Sequence, residues 1–358
     1  MTLTPPKSSR EAIHSRASDL MTISIWQRRP EPRPTVVFDA YWRFAAERQA
    51  IFFRRIQGAP PPWTDDEVLR DFKFTNAYRA SDRTSQYLIR HVIYEGDQTP
   101  RETFFRTIMF KFFNRIETWE ALSSAIGCLT AEAFEPEPYN RALTSLQARG
   151  RQLYSAAYIM PPVSTLAAGA KHVGHIELMA KMLREELAER IAGAASLSDV
   201  YQMLLLYPSF GRFLAFQFAI DLNYGPNVSF DEDAFVVAGP GAREGIAKCF
   251  VDRDGWSDEE IIRWTTDRQD REFAQRGIDF HDLWGRRLKP IDCQNLFCEI
   301  AKYARVAHPG FTRPGGRSRI KQRFAARPSV SQAWYPPKWG LNASISVRKD
   351  DELTLAQV

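Results

Sequence analysis

Apolar residues recur at steps of three and four along most of the chain between Phe38 and His308, the spacing of one helical face. VFDAYWRFAAERQAIFFRRI (37–56) reads as an amphipathic helix, and QGAPPPW ends it because glycine and proline do not continue a helix. WTDDEVLRDF opens the next helix, with Thr64 as the expected N-cap and acids in the first turn. The same periodicity predicts helices over about 81–93, 101–114, 117–126, 139–149, 170–193, 197–205, 209–223, 241–250, 257–275, 280–287 and 291–307. Strand-like alternation is short, and no hairpin dipeptide separates two β-rich runs. The expected fold is all-α: one multi-helix globule without internal repeats.

The periodicity divides the chain in three. Residues 1–33 mix Pro, Ser, Arg and Thr without a period, and are expected to be disordered. Residues 34–312 form the helical domain, and 313–358 an irregular C-terminal arm. Composition sharpens this division, because 44% of the chain is hydrophobic, ample for a core, while its net charge is +5. Between Arg313 and Lys349 stand nine Lys and Arg and no acid, whereas 1–312 balance 39 basic against 40 acidic residues. The basicity therefore belongs to the arm, which suits a polyanion or serves as a solubilising tail. No apolar run reaches the roughly 18–20 residues of a membrane span, and the N-terminus has no signal-peptide h-region. Cys128, Cys249, Cys293 and Cys298 include no C-x-x-C pair, which points to reduced thiols and an intracellular protein of cytoplasm, nucleoid or nucleus. His172 and His175 lack the further ligands of a metal site, so neither a metal nor a cofactor is expected.

Four stretches carry candidate chemistry. In YRASDRTSQYLIRHVIY, continued helical spacing would put Arg79, Asp82, Arg83, Gln86 and Arg90 on one face. That face is either an ion-pair ladder or a clamp for phosphate or carboxylate. FGRFLAFQFAIDLNYGP is apolar nearly all round, yet carries Gln217 and Asp221 at i,i+4. A buried carboxylate needs a cation or lines a pocket. In AGPGAREGIAKCF, Gly239, Pro240 and Gly241 precede a helix, with Gly245 four residues on. Such a turn can hold a phosphate on backbone N–H groups as in helix-hairpin-helix units, or can be a tight helix junction. It is not a P-loop, since Ile246 stands where the lysine would be. DCQNLFCEIAKYARV places Asp292, Asn295, Glu299 and Lys302 along one stripe beside Tyr303, with Gln294 in the first turn. Spacing leaves open whether this stripe is a surface pair with a cap or the wall of a pocket.

In chain order, FDAYWRFAAERQAIFFRR, PPPWTDDEVLRDFKFTNAYRASDRTSQYL, SFGRFLAFQFAIDLNY, AGPGAREGIAKCF and DCQNLFCEIAKYARV resemble the signature blocks of one helical family. It comprises the helical domain of 5-hydroxymethyluracil DNA kinases and the related α-glutamyl/putrescinyl-thymine pyrophosphorylases, distant relatives of helix-hairpin-helix DNA glycosylases. The resemblance covers roughly residues 35–310. It implies an all-helical protein that grips DNA and accepts a flipped-out modified pyrimidine. In the pyrophosphorylase branch, the amine of an amino acid or polyamine displaces pyrophosphate from an activated 5-hydroxymethyluracil. In the kinase branch, the helical domain accompanies a separate P-loop kinase.

On that resemblance, Arg79, Asp82, Arg83, Gln86, Gln217, Gln294, Asn295 and Tyr303 would bind substrate and phosphate, with Lys302 as a further cation. Asp221, Asp292 or Glu299 would hold the incoming ammonium and take its proton. Gly239, Pro240, Gly241, Arg243, Gly245 and Lys248 would contact the DNA backbone. Tyr78, Tyr87, Phe235 and Tyr303 are the available stacking surfaces. The rival expectations are a non-catalytic DNA-binding partner of a kinase and a glycosylase-like enzyme.

Overall fold

A computed structural model of the chain describes residues 29–163, 165–166, 169–312, 317–325 and 332–345. The expectation of disorder over 1–33 lies mostly outside these residues. Of the stretch it covered, residues 29–33 are anchored: Arg29 pairs with Glu260 at 3.1 Å, and Arg268 grips both carboxylate oxygens of Glu31 at 2.6 and 3.1 Å.

The fold is mostly helical. Strand β1 (Arg33–Pro34) leads into α1 (Val36–Ile56), whose N-cap Thr35 accepts a hydrogen bond from Val37 N. Helix α2 (Glu67–Asp71) follows, then a 3-10 turn at Arg79–Ser81, then α3 (Arg83–Tyr87), which widens into a π turn over Leu88–Ile93. The succession continues with α4 (Pro100–Phe113), α5 (Ile116–Ile126), α6 (Pro136–Ala148), α7 (Lys171–Arg184), α8 (Leu187–Ala192) and α9 (Leu197–Leu205). Helices α10 (Arg212–Leu222) and α11 (Pro240–Cys249) precede β2 (Phe250–Asp252), which pairs antiparallel with β1. Then come α12 (Asp258–Asp267), α13 (Gln269–Gln275) and the long α14 (Pro290–Ala307).

Several boundaries differ from the periodicity. Asp66, not Thr64, caps α2, accepting from Leu69 N at 2.9 Å, while Thr64 Oγ1 accepts from Asp66 N at 3.1 Å. The predicted 170–193 helix breaks at Glu186, which takes a left-handed φ of 51°. The predicted 257–275 helix breaks at Arg268. Residues 280–287 form no helix; Leu283 and Arg286 face each other in an isolated bridge. These segments keep helical spacing of apolar residues because they cover the same core, and a turn can cover it as well as a helix does.

One core runs through the molecule. Helix α4 is buried almost throughout, from Glu102 to Phe113, and α10 from Leu214 to Leu222. Helix α14 crosses α11 at backbone distance. A Cβ on Gly245 would stand 1.9 Å from Phe297 O, and one on Gly241 2.2 Å from Cys298 Sγ, so only glycine fits. The expected arm is partly docked. Gln322 O accepts from Lys73 N at 3.0 Å and Asp71 O accepts from Phe324 N at 3.0 Å, leaving Arg317, Arg319 and Lys321 exposed. Residues 332–345 form a strap, in which Tyr335 is fully buried and Lys338 Nζ donates to the carbonyls of Asn223, Gly225 and Val228 at 2.6, 3.0 and 2.6 Å. That lysine satisfies carbonyls at and beyond the C-terminus of α10 that the helix cannot. No described helix is long and apolar enough to cross a membrane.

Candidate functional site

The 3-10 turn sends Arg79 inward, away from the face it would share with Arg83 on a continuous helix. Arg79 is 2% exposed. Its Nη1 donates to Asp221 Oδ1 at 2.7 Å and Tyr224 Oη at 2.9 Å, and its Nε to Gln217 Oε1 at 2.9 Å. The Gln217–Asp221 pair of α10 thus meets a buried cation, and Gln217 Nε2 extends the chain to Gln294 Oε1 at 3.1 Å.

A second cation closes on the same carboxylate. Lys111 Nζ of α4 lies 3.1 Å from Asp221 Oδ2 and donates to Asn114 Oδ1 at 2.8 Å. Burial pushes Lys111 down to about 8, against the pull of Asp221. The two cations hold Asp221 below its ordinary range, although burial alone would raise it. Two cations thus share one carboxylate in the interior.

Aromatic rings cover them. The Tyr158 ring centroid lies 4.6 Å from Lys111 Nζ and 5.6 Å from Arg79 Cζ, and Tyr224 faces Arg79 at 5.6 Å. Tyr158 stacks on Phe213, with centroids 5.9 Å apart and planes 17° apart. Gly239 seats Phe213, for a Cβ there would lie 2.6 Å from its ring. The strap packs behind: Trp339 lies edge-on to Tyr224 at 5.7 Å, and Ser81 Oγ and Tyr335 Oη are 2.8 Å apart.

The α14 stripe divides between two places. Asp292 Oδ1 accepts from Arg79 N at 2.8 Å and Oδ2 from Lys289 N at 3.1 Å, so it caps its own helix and fixes the Arg79 turn. Burial raises it to about 6 despite these bonds. Asn295, Glu299 and Lys302 instead join the 75–82 segment. Glu299 Oε2 accepts from Thr75 N at 3.0 Å and pairs with Lys302 at 2.6 Å, while Asn295 Nδ2 donates to Thr75 Oγ1 at 2.9 Å. Asp82 Oδ1 accepts from Asn76 N at 2.8 Å, and Arg48 spans Thr75 O and Asn76 Oδ1, both at 2.9 Å. Burial and nearby Glu299 push Asp82 up to about 7.

The remaining candidates lie elsewhere. Arg83 and Arg90 are exposed, and Arg83 reaches Glu117 at 3.5 Å. Gln86 binds Ala80 O and Trp334 N, fastening the strap. Tyr303 donates to Asp66 Oδ2 at 2.6 Å, Tyr78 to Arg286 O at 2.6 Å, Tyr87 stacks on Phe110, and Phe235 packs on Tyr201 and Phe216. Lys248 is buried and donates to Ala301 O at 2.8 Å. At the α11 N-terminus Pro240 and Arg243 are exposed, while Gly241 and Gly245 face α14. None of the three glycines has positive φ, so close approach is the property used. His172 and His175 are core residues; His175 bonds Tyr154 Oη at 2.9 Å and Pro161 O at 2.8 Å. Among the described residues no cluster of His, Cys, Asp and Glu is arranged to hold a metal.

Sequence reasoning missed Lys111, Tyr158, Phe213 and Tyr224. Lys111 had a signal: it is a lone charge in the apolar run TIMFKFF, the same anomaly that singled out Asp221. The rings had none, since aromatic residues fill cores everywhere.

The family model for the helical domain of 5-hmdU DNA kinases matches residues 35–313. A 5-hmdU DNA kinase of Bacillus phage SP10 is 28% identical over 301 residues, covering 77% of this chain and 46% of the relative. The chain thus spans less than half of that relative's length. No solved structure matches. The strap lies beyond the matched family region.

Proposed function

This chain belongs to the helical-domain family of 5-hmdU DNA kinases, and from that premise we propose that it engages DNA carrying 5-hydroxymethyluracil and binds the modified base, flipped out, at the Arg79–Lys111 cluster. The carrying observation is the pairing of two buried cations with one carboxylate beneath stackable rings. A flipped base brings a flat ring, and phosphorylation of its hydroxymethyl group adds a second anion opposite the two cations. Asp221 serves there as a counter-ion rather than a base, because its two cations lower its affinity for a proton. Phosphoryl transfer would come from a P-loop kinase, in the same assembly or a separate chain. Arg317, Arg319, Lys321, Arg83 and Arg243 are exposed and would meet the DNA backbone. The setting is intracellular, where such DNA is found.

A second reading keeps the amine-displacement reaction, in which an amino acid or polyamine replaces pyrophosphate on the activated base. Asp292 favours it: this carboxylate, raised to about 6 by burial, accepts from Arg79 N and so stands at the turn that carries the arginine of the cluster.

Fluorescence anisotropy with duplexes bearing one thymine, 5-hydroxymethyluracil or its phosphate ester separates these outcomes from failure. Preference for a modified duplex of tenfold or more is expected. Equal affinity for all three would sink the base-binding reading. Mass spectrometry of nucleosides after incubating pyrophosphorylated DNA with putrescine or glutamate tests the second reading.

A further inference from the structure

The ring of Tyr158 sits where a ligand ring would. It lies over Lys111 and Arg79 and parallel to Phe213, whose own place depends on the missing side chain of Gly239. Its backbone is left-handed, with φ 54°, a conformation that bulky side chains rarely adopt. The loop is pinned on both sides of this residue. Phe113 O accepts from Ser155 N at 2.9 Å, Ala157 O accepts from Asn114 Nδ2 at 3.4 Å, and His175 bonds Pro161 O at 2.8 Å. Asn114 is also the Lys111 partner, so the clamp on the loop and the cation beneath it are one network. Tyr158 is nevertheless only partly buried, packed against the core from outside, and its neighbour Ile159 is 57% exposed. A ring held in a strained backbone at the edge of the core can leave without dismantling the core.

The chemistry below the ring is poorly matched to a neutral phenol. A π face offers a cation less than the charge-assisted hydrogen bond that the cation would donate to a phosphate in the same place. Two cations on one carboxylate leave one positive charge without a counter-ion inside the cluster.

We propose that Phe213, Lys111 and Arg79 form a seat for a flat ring bearing an anionic substituent, and that Tyr158 fills this seat in the free protein. The ligand class rests on the function proposed above: it is a pyrimidine phosphorylated on an exocyclic methylene. Binding exchanges the Tyr158 ring for the ligand ring on Phe213 and places the phosphate against Lys111. No covalent step is involved.

The test uses the full chain and two probes, phenyl phosphate and phenol, which share a ring and differ in charge. Tyr158→Ala empties the seat; Tyr158→Gly empties it and also relieves the left-handed backbone, a second variant should the first fold poorly. By calorimetry, either variant is expected to bind phenyl phosphate at least tenfold tighter than the parent chain, and tenfold tighter than phenol. Adding Lys111→Met should abolish the preference for phenyl phosphate. Folded variants that bind phenyl phosphate no better than the parent would overturn the seat. Its failure is distinct from failure of the DNA reading. Loss of discrimination among duplexes with intact phenyl phosphate binding removes the DNA reading alone; the converse pattern removes the seat alone.

Discussion

The segment from Lys73 to Asp82 runs between two polar clusters that are wired differently. On one side, Arg79, Lys111, Asp221, Gln217 and Gln294 join side chain to side chain, with cations in excess under aromatic rings. On the other, Arg48, Asp82, Asn295 and Glu299 bond chiefly to the main chain of residues 75–76, and Lys302 and Arg48 set two cations against two carboxylates. The second cluster does what polar groups must when a loop is buried: it satisfies backbone N–H and C=O groups that no helix or sheet satisfies. The first is wired chiefly side chain to side chain, which is an expensive way to use an interior unless something else makes use of it. The contrast separates a brace from the cluster proposed to bind the base.

The largest test of the contrast is Asp221→Ala. It strands Arg79 and Lys111 in the core, and a loss of about 3–5 kcal/mol in urea unfolding is expected. A loss below about 1 kcal/mol would mean that water reaches the cations and the cluster is not an interior one. Glu299→Ala removes an acceptor from Thr75 N and a partner from Lys302, and should cost about 1–3 kcal/mol by the same assay. It should leave discrimination between modified and unmodified duplexes unchanged; a selective loss of discrimination would merge the two clusters into one site.

Acidity offers a finer distinction. Asp82, raised from 3.8 to about 7 by burial, binds a proton more readily folded than unfolded. Its contribution to stability is full below pH 3.8 and is lost as pH rises through about 7. Asp82→Asn keeps an acceptor for Asn76 N without the charge, so it should be more stable than the parent at pH 8 and match it near pH 4. An equal difference at both pH values would show that Asp82 stays ionised in the fold. The smallest effect is expected from Arg83→Ala. Its pair with Glu117 is half-exposed, and the unfolding free energy should fall by no more than about 0.5 kcal/mol in the urea assay. A larger destabilisation would make Arg83 part of the brace.

Much of the architecture was legible before any coordinates. Helix α1 with its QGAPPPW stop, α9 and α14 lie where periodicity puts them, because an apolar stripe at helical spacing has one economical way to leave water. Asp221 and Gln217 announced themselves as polar groups on an apolar helix, and their buried partner followed from physics. Periodicity failed at Arg79. A 3-10 turn followed by an α turn and a π turn rotates side chains by amounts that no constant angle per residue reproduces, so Arg79 and Arg83 part ways.

The sequence by itself determined a mostly helical fold, a set of buried charges that had to be paired, and a basic stretch after residue 312, but not the small β1–β2 sheet. Only the tertiary structure decided which cation meets which carboxylate, since Arg79, Lys111 and Asp221 come from three separated elements. It likewise decided that Gly241 and Gly245 serve helix contact, and that WYPPKW folds back onto the core. Charge pairing and close packing are long-range consequences of chain closure: local spacing states the need for a partner, and the fold supplies its identity.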